Sequence, residues 1–292
     1  MEWAASSPAK PFLFIFLSFS VLSDYLKEMR IKHWYKALIV FSGPLFGGAL
    51  FGPLFWRVVL SFLAFGFMAS SIYVINDLKD MESDRLHPKK RNRPVASGRI
   101  GKASAAAFSG VLFAVAVYLA VLAGNYVPHL ALGYFALMLV YTIYLKNLAV
   151  VDAFTIAAGF VARAFAGCFA AGIEITPLFY LVIFAFAVYL AFCKRLTEIK
   201  LAGMEHKNSL GVYEHIADVG TAIAGSISLA LYAIYTMGKS GLLLWSVPLA
   251  FLGLLLHLKE TFLGREVHES ITSPEILLTG AAFVVTVFLS LY

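Results

Sequence analysis

Charge is what this chain of 292 residues has least of. Asp, Glu, Lys and Arg make up 14% of it, against 61% hydrophobic residues, a balance that excludes an ordinary soluble globular domain. Cysteine is almost absent. Cys168 and Cys193 each sit inside an apolar run, which excludes a disulfide framework and a thiolate metal site and leaves two small buried hydrophobes. The histidines are dispersed, with no pair at helical ligand spacing. There is no Walker loop, no zinc spacing, no Ser/His/Asp constellation, no low-complexity tract and no clear internal repeat. A net charge of +6 does not point to nucleic acid, because the cations lie between apolar spans, where they report membrane topology first.

What the chain has instead is long hydrophobic runs. Nine spans are expected, over residues 34–51, 54–77, 103–123, 128–145, 149–171, 177–200, 219–237, 242–257 and 276–291, each near the ~20 residues that a bilayer requires. Gly43-Pro44 and Gly47-Gly48 predict a kink in the first. The apolar run at 11–22 is too short to cross and reads as an interfacial segment. The expected organisation is an interfacial segment over residues 1–33 followed by an all-α transmembrane domain over 34–292, with polar loops at 78–102 and 201–218. Of the 23 Lys and Arg, 20 fall on the side of the N-terminus and both polar loops. Arg57 and Lys239 fall opposite, and Arg163 lies within a span. That asymmetry places the N-terminus and both loops in the cytoplasm and the C-terminus outside.

The most informative stretch follows the second span: Asn76-Asp77-Leu78-Lys79-Asp80-Met81-Glu82-Ser83-Asp84. If the helix continues, Asn76, Asp80 and Asp84 share one face at i, i+4 and i+8, and Asp77 joins it. Carboxylates so spaced repel unless a cation sits between them. Oxygen-only ligands suit a hard cation, and Mg2+ is the usual choice where phosphates complete the shell. The segment His87-Pro88-Lys89-Lys90-Arg91-Asn92-Arg93-Pro94 follows at once.

Other polar groups carry two readings each. Lys194 and Glu198, with Arg195 between them, close the sixth span; the i,i+4 pair is either a helix-surface ion pair or part of a site. Arg30, Lys32 and Lys36 lie at the start of the first span, where the positive-inside rule already accounts for them. Lys207 and Tyr213 belong to the second polar loop. Arg163 needs a polar partner or a wet cavity, since a charge at mid-membrane costs at least ~2.5 kcal/mol. Acids and cations together at the mouth of an apolar bundle suit a ligand with phosphates at one end and a lipid chain nearby; cations and Mg2+ can hold a diphosphate and stabilise the charge that develops as it leaves.

The stretch Asn76-Asp77-x-x-Asp80-x-x-x-Asp84 resembles the first aspartate-rich motif of the UbiA-type intramembrane prenyltransferase superfamily. That resemblance implies a nine-helix bundle with Mg2+-dependent transfer from a diphosphate donor near the cytoplasmic face. Within the superfamily the chain is most similar to the polyprenyl-phosphate (decaprenyl-phosphate) phosphoribosyltransferase branch. The likeness is carried by residues 30–36, 76–84, 87–98, 151–167, 194–198 and 207–213. Where typical members have a second DxxxD motif after the sixth span, this chain has Lys194-Arg195-x-x-Glu198. The resemblance implies 5-phosphoribosyl diphosphate as donor and a polyprenyl phosphate as acceptor. Asn76, Asp77, Asp80 and Asp84 would hold Mg2+ and the donor, and Lys36, Lys89, Arg91, Lys194 and Arg195 its phosphates. Glu198 would orient a ribose hydroxyl, and Arg163, Lys207 and Tyr213 would complete the substrate contacts. The alternative keeps the fold and moves a prenyl group from a prenyl diphosphate to an aromatic or glycerol-phosphate acceptor. A lipid transporter without chemistry is the third reading, disfavoured because the acids and most cations gather at one face rather than at mid-membrane.

Overall fold

The computed structural model describes residues 21–202, 208–265, 267–270 and 272–292. Among them there is no strand. Eight long helices follow one another: α1 Phe55–Lys79, α2 Lys102–Ala123, α3 Val127–Ile143, α4 Val151–Ala171, α5 Pro177–Ala202, α6 Asn208–Met237, α7 Ser246–Phe262 and α8 Pro274–Leu291. All but α3 contain or adjoin a stretch long and apolar enough to cross a membrane, seven in total.

The expected nine α-helical spans are thus met in part. α3 is 17 residues long. The first span is not an α-helix but a 3-10 helix, Ile31–Phe41, running into the short helix Ser42–Phe46. Pro44 supplies no amide to the ladder, and the turn ends at Gly48 with φ +69°. The second correction concerns the loop at 201–218, since α6 already begins at Asn208 and carries the polar residues on its first turns. The apolar run at 11–22 lies almost wholly outside the described residues.

The chain forms two compact units, residues 21–34 with Gly66–Ala116, and Tyr35–Phe65 with Val117–Tyr292. In the first, helical residues 21–28 end in a turn at Arg30, whose φ is +50°. Trp34 Nε1 donates to Ser70 Oγ at 3.0 Å, and Ser70 donates in turn to the Met29 carbonyl at 2.6 Å. Ser71 and Ser109 exchange hydroxyl-to-carbonyl bonds at 3.0 and 3.1 Å, tying α1 to α2 where both residues are buried. The core beneath them is Val74, Met81, Val95, Ile100, Ala105 and Leu112.

In the second unit α5 packs most extensively on α6 and then on α4, and α4 on α3. Small residues set these distances. A Cβ on Gly167 of α4 would overlap the Val40 carbonyl, and one on Gly43 would overlap the Cys168 sulfur. The 3-10 segment therefore lies backbone against α4. Tyr189 donates to the Leu254 carbonyl at 2.9 Å, and the hydroxyls of Tyr232 and Ser246 meet at 2.6 Å, so α7 is pinned to α5 and α6.

Candidate functional site

The acidic stretch keeps its helical spacing through a break. α1 ends at Lys79, Asp80 precedes a short helix Met81–Leu86, and the amides of Asp80 and Asp84 still donate to Asn76 and Asp80 carbonyls at 2.8 Å. Asp77 and Asp84 are buried. Arg30 grips Asp77 through both carboxylate oxygens. Arg93 Nη1 sits between the two acids, 3.0 Å from Asp77 and 2.6 Å from Asp84. A short 3-10 turn, Lys90–Asn92, followed by extended backbone at Arg93, delivers that guanidinium. Charge-assisted, forked pairing of this kind is what arginine does better than lysine.

Glu28 is the residue that sequence reasoning missed. It is 2% exposed, one of its oxygens has no hydrogen-bond partner, and its carboxyl meets that of Asp77. Burial, and then the neighbouring Asp77, push its pKa up to about 8, against the pull of Arg30 and Arg93. In sequence it stands between Lys27 and Arg30 and reads as one more surface charge.

The expected metal ligands are Asn76, Asp77, Asp80 and Asp84. Among the described residues no group of three or more His, Cys, Asp and Glu side chains is placed to hold a metal ion. What the fold brings together is Asp77 and Asp84, across Arg93. Two hard carboxylates do fit Mg2+ of the phosphate-completed kind, which takes one or two protein carboxylates and draws its other ligands from substrate and water. Lys89 and Arg91 are exposed and have no ion-pair partner among the described residues.

The second cluster joins α3, α4 and α5. Arg195 is 6% exposed and forms ion pairs with Asp152 and Glu198, while its Nη2 donates to Tyr141 at 3.2 Å. Asp152 lies in the first turn of α4, where its carboxylate accepts the Ala153 amide at 2.8 Å and faces the positive end of the helix dipole. Lys194 stands 3.7 Å from Glu198 and is partly exposed. Arg195, expected as a phosphate ligand, is buried, and its guanidinium pairs with both carboxylates. Asp152 and Tyr141 are its partners, and no local spacing joins either to Arg195.

Arg163 is held by the Gly159 carbonyl at 3.0 Å and the Tyr134 hydroxyl at 2.5 Å, with the Tyr134 ring centroid 4.3 Å from its Cζ. These are the partners that a charge within a span demands. Lys36 lies in the 3-10 segment, 5.9 Å from the Tyr35 ring. Lys207 lies outside the described residues, and Tyr213 is placed by its helical backbone alone.

The UbiA prenyltransferase family model matches residues 37–290. A decaprenyl-phosphate phosphoribosyltransferase from Corynebacterium glutamicum is 36% identical over 220 residues, 72% of this chain and 66% of that protein. One of the same name from Mycolicibacterium smegmatis is 34% identical, over 66% of this chain and 64% of the relative. The chain thus spans just under two thirds of the length of these curated relatives. Among solved structures, a UbiA homolog from Archaeoglobus fulgidus bound to DMAPP and Mg2+ superposes with a TM-score of 0.67 at 22% identity, covering 91% of this chain and 98% of that one.

Proposed function

The chain belongs to the UbiA prenyltransferase family, and from that premise we propose that it is an intramembrane transferase moving 5-phosphoribosyl from phosphoribosyl diphosphate to a polyprenyl phosphate. The observation that carries this reading is Lys194, a cation left partly exposed at the end of α5 beside Glu198. Lys194 and Arg195 occupy the place where typical prenyltransferases of the superfamily have carboxylates. A donor with a 5-phosphate besides its diphosphate calls for cations there. The names of the two bacterial relatives support the same donor and acceptor.

In this mechanism Asp77 and Asp84 would hold Mg2+, with Asn76 and Asp80 on the same helical face serving the donor. When bound, Mg2+ would supply positive charge against the departing diphosphate, and the Mg2+ in the Archaeoglobus structure supports its use here. Lys89 and Arg91, free of carboxylate partners, take diphosphate oxygens, and Lys194 takes a phosphate oxygen. Glu198, fixed by Arg195 and Lys194, accepts a hydrogen bond from a ribose hydroxyl. The lipid phosphate oxygen forms the new bond to the anomeric carbon, and the bond from that carbon to the diphosphate breaks. Positioning and charge stabilisation carry the catalysis, with no side chain acting as nucleophile. We place the aspartates and the basic loop on the cytoplasmic side, from the cation count.

The test supplies purified protein with Mg2+, labelled phosphoribosyl diphosphate and decaprenyl phosphate, and in parallel a prenyl diphosphate with aromatic and glycerol-phosphate acceptors. Label in the lipid phase of the first mixture supports the reading. Product only in the parallel mixtures replaces it with prenyl transfer. Asp84→Ala lowers kcat by at least about 100-fold, the scale on which charge-stabilising groups act; unimpaired turnover removes Asp84 from the mechanism.

A further inference from the structure

An open groove of about 780 Å³ runs beside the N-terminal helix of the first unit. Its apolar lining is Leu22 and Leu26, one helical turn apart, and Ile31, which are 55%, 46% and 46% exposed. Its charged lining is basic: Lys27, Arg30, Lys32 and Arg93, with no acid among the lining residues. Arg30 and Arg93 are the two guanidinium groups that grip Asp77. Lys32 is exposed and has no ion-pair partner among the described residues. Lys27 leans on Asp24 at 3.6 Å, a carboxylate that Arg99 also holds at 3.0 Å.

We infer that this groove holds the phosphate end of the lipid acceptor, with the first isoprene units along Leu22, Leu26 and Ile31. The inference rests on the polyprenyl phosphate reading above and adds a place for it. A phosphate monoester carries close to two negative charges and offers acceptors only, so a rim of cations without acids complements it. A soluble donor has no use for an apolar wall. A lipid with a charged head needs both surfaces side by side, the pairing of apolar burial and basic residues that retains anionic lipids at an interface. The head group then lies against Arg30 and Arg93, and through them against the carboxylate assigned to Mg2+. Those arginines have a second role here, holding the acceptor oxygen beside the donor's metal. Lys27 and Lys32 contribute charge and make no contact with Asp77 in the structure, so they separate acceptor binding from donor binding.

The experiment uses the full chain in nanodiscs of zwitterionic lipid and measures equilibrium binding of labelled decaprenyl phosphate, of the uncharged alcohol decaprenol, and of phosphoribosyl diphosphate with Mg2+. In Lys27→Ala/Lys32→Ala, affinity for decaprenyl phosphate falls by about fivefold per lysine, roughly 25-fold together, as expected for basic residues at an anionic head group. Affinities for decaprenol and for the donor stay within about twofold, and Lys32→Arg binds like wild type, since only charge is asked of that position. Unchanged decaprenyl phosphate binding in the double variant overturns the groove assignment alone. A loss confined to the donor also overturns it, making the groove a donor site. Wild-type protein that binds no decaprenyl phosphate overturns the acceptor reading and the groove with it.

Discussion

Glu28 is the side chain whose state responds most directly to solution conditions. Its folded-state pKa is raised from 4.5 to about 8, first by burial and then by Asp77. A carboxyl raised in this way contributes stability that is present in full below about pH 4.5 and is lost as pH climbs towards 8. The expected outcome is that Glu28→Gln, which cannot ionise, gains in Tm relative to wild type as pH rises across that window in metal-free buffer. A difference that stays flat with pH removes the buried carboxyl pair from the account. Glu28 also marks the limit of what sequence shows at this scale. The aspartates were legible because i,i+4 spacing survives any helix. The burial of Glu28 depends on residues 21–28 docking on α1 through Tyr25, Met29 and Ser70, and no local pattern encodes that. Arg93 was legible as one of several cations, but not as the one between Asp77 and Asp84.

Between elements, the Asp152–Arg195 pair ties the start of α4 to the end of α5. Both partners are buried, so removing one strands the other. Asp152→Ala is expected to cost about 3–5 kcal/mol, read as a lowered unfolding midpoint in detergent. It should also lower kcat for phosphoribosyl transfer, because Arg195 no longer fixes Glu198. Loss of less than about 1 kcal/mol would mean that water already screens the pair. Hydropathy made α1, α2, α4, α5, α7 and α8 legible to within a few residues, since each crosses an apolar layer whose thickness fixes its length. It could not separate the 3-10 segment Ile31–Phe41 from an α-helix of the same composition. That choice is made by Pro44 and by the approach of Val40 to Gly167, a contact between distant parts of the chain. Nor could it see that α6 reaches back to Asn208, because a helix can outlast its apolar stretch once it leaves the hydrocarbon.

For the molecule as a whole, the distribution of Lys and Arg is the strongest statement in the sequence, and it assigns sides that helix packing alone does not. Cysteine placement tests it. Cys168 and Cys193 are buried and contribute little background. Ser97→Cys is expected to react with a membrane-impermeant maleimide only from the cytoplasmic side, and Lys239→Cys only from the outside. Labelling of both from one side overturns the topology. The apolar helices are not equally long. α1 has 25 residues and α3 has 17, about 37 Å against about 26 Å of rise, and a typical hydrocarbon layer is ~30 Å thick. Leu132 and Val140 are exposed on α3, so acyl chains that meet them must compress to cover it. In a bilayer, that shortfall would favour short-chain lipids as neighbours of α3 and make bilayer thickness one of the variables that set stability.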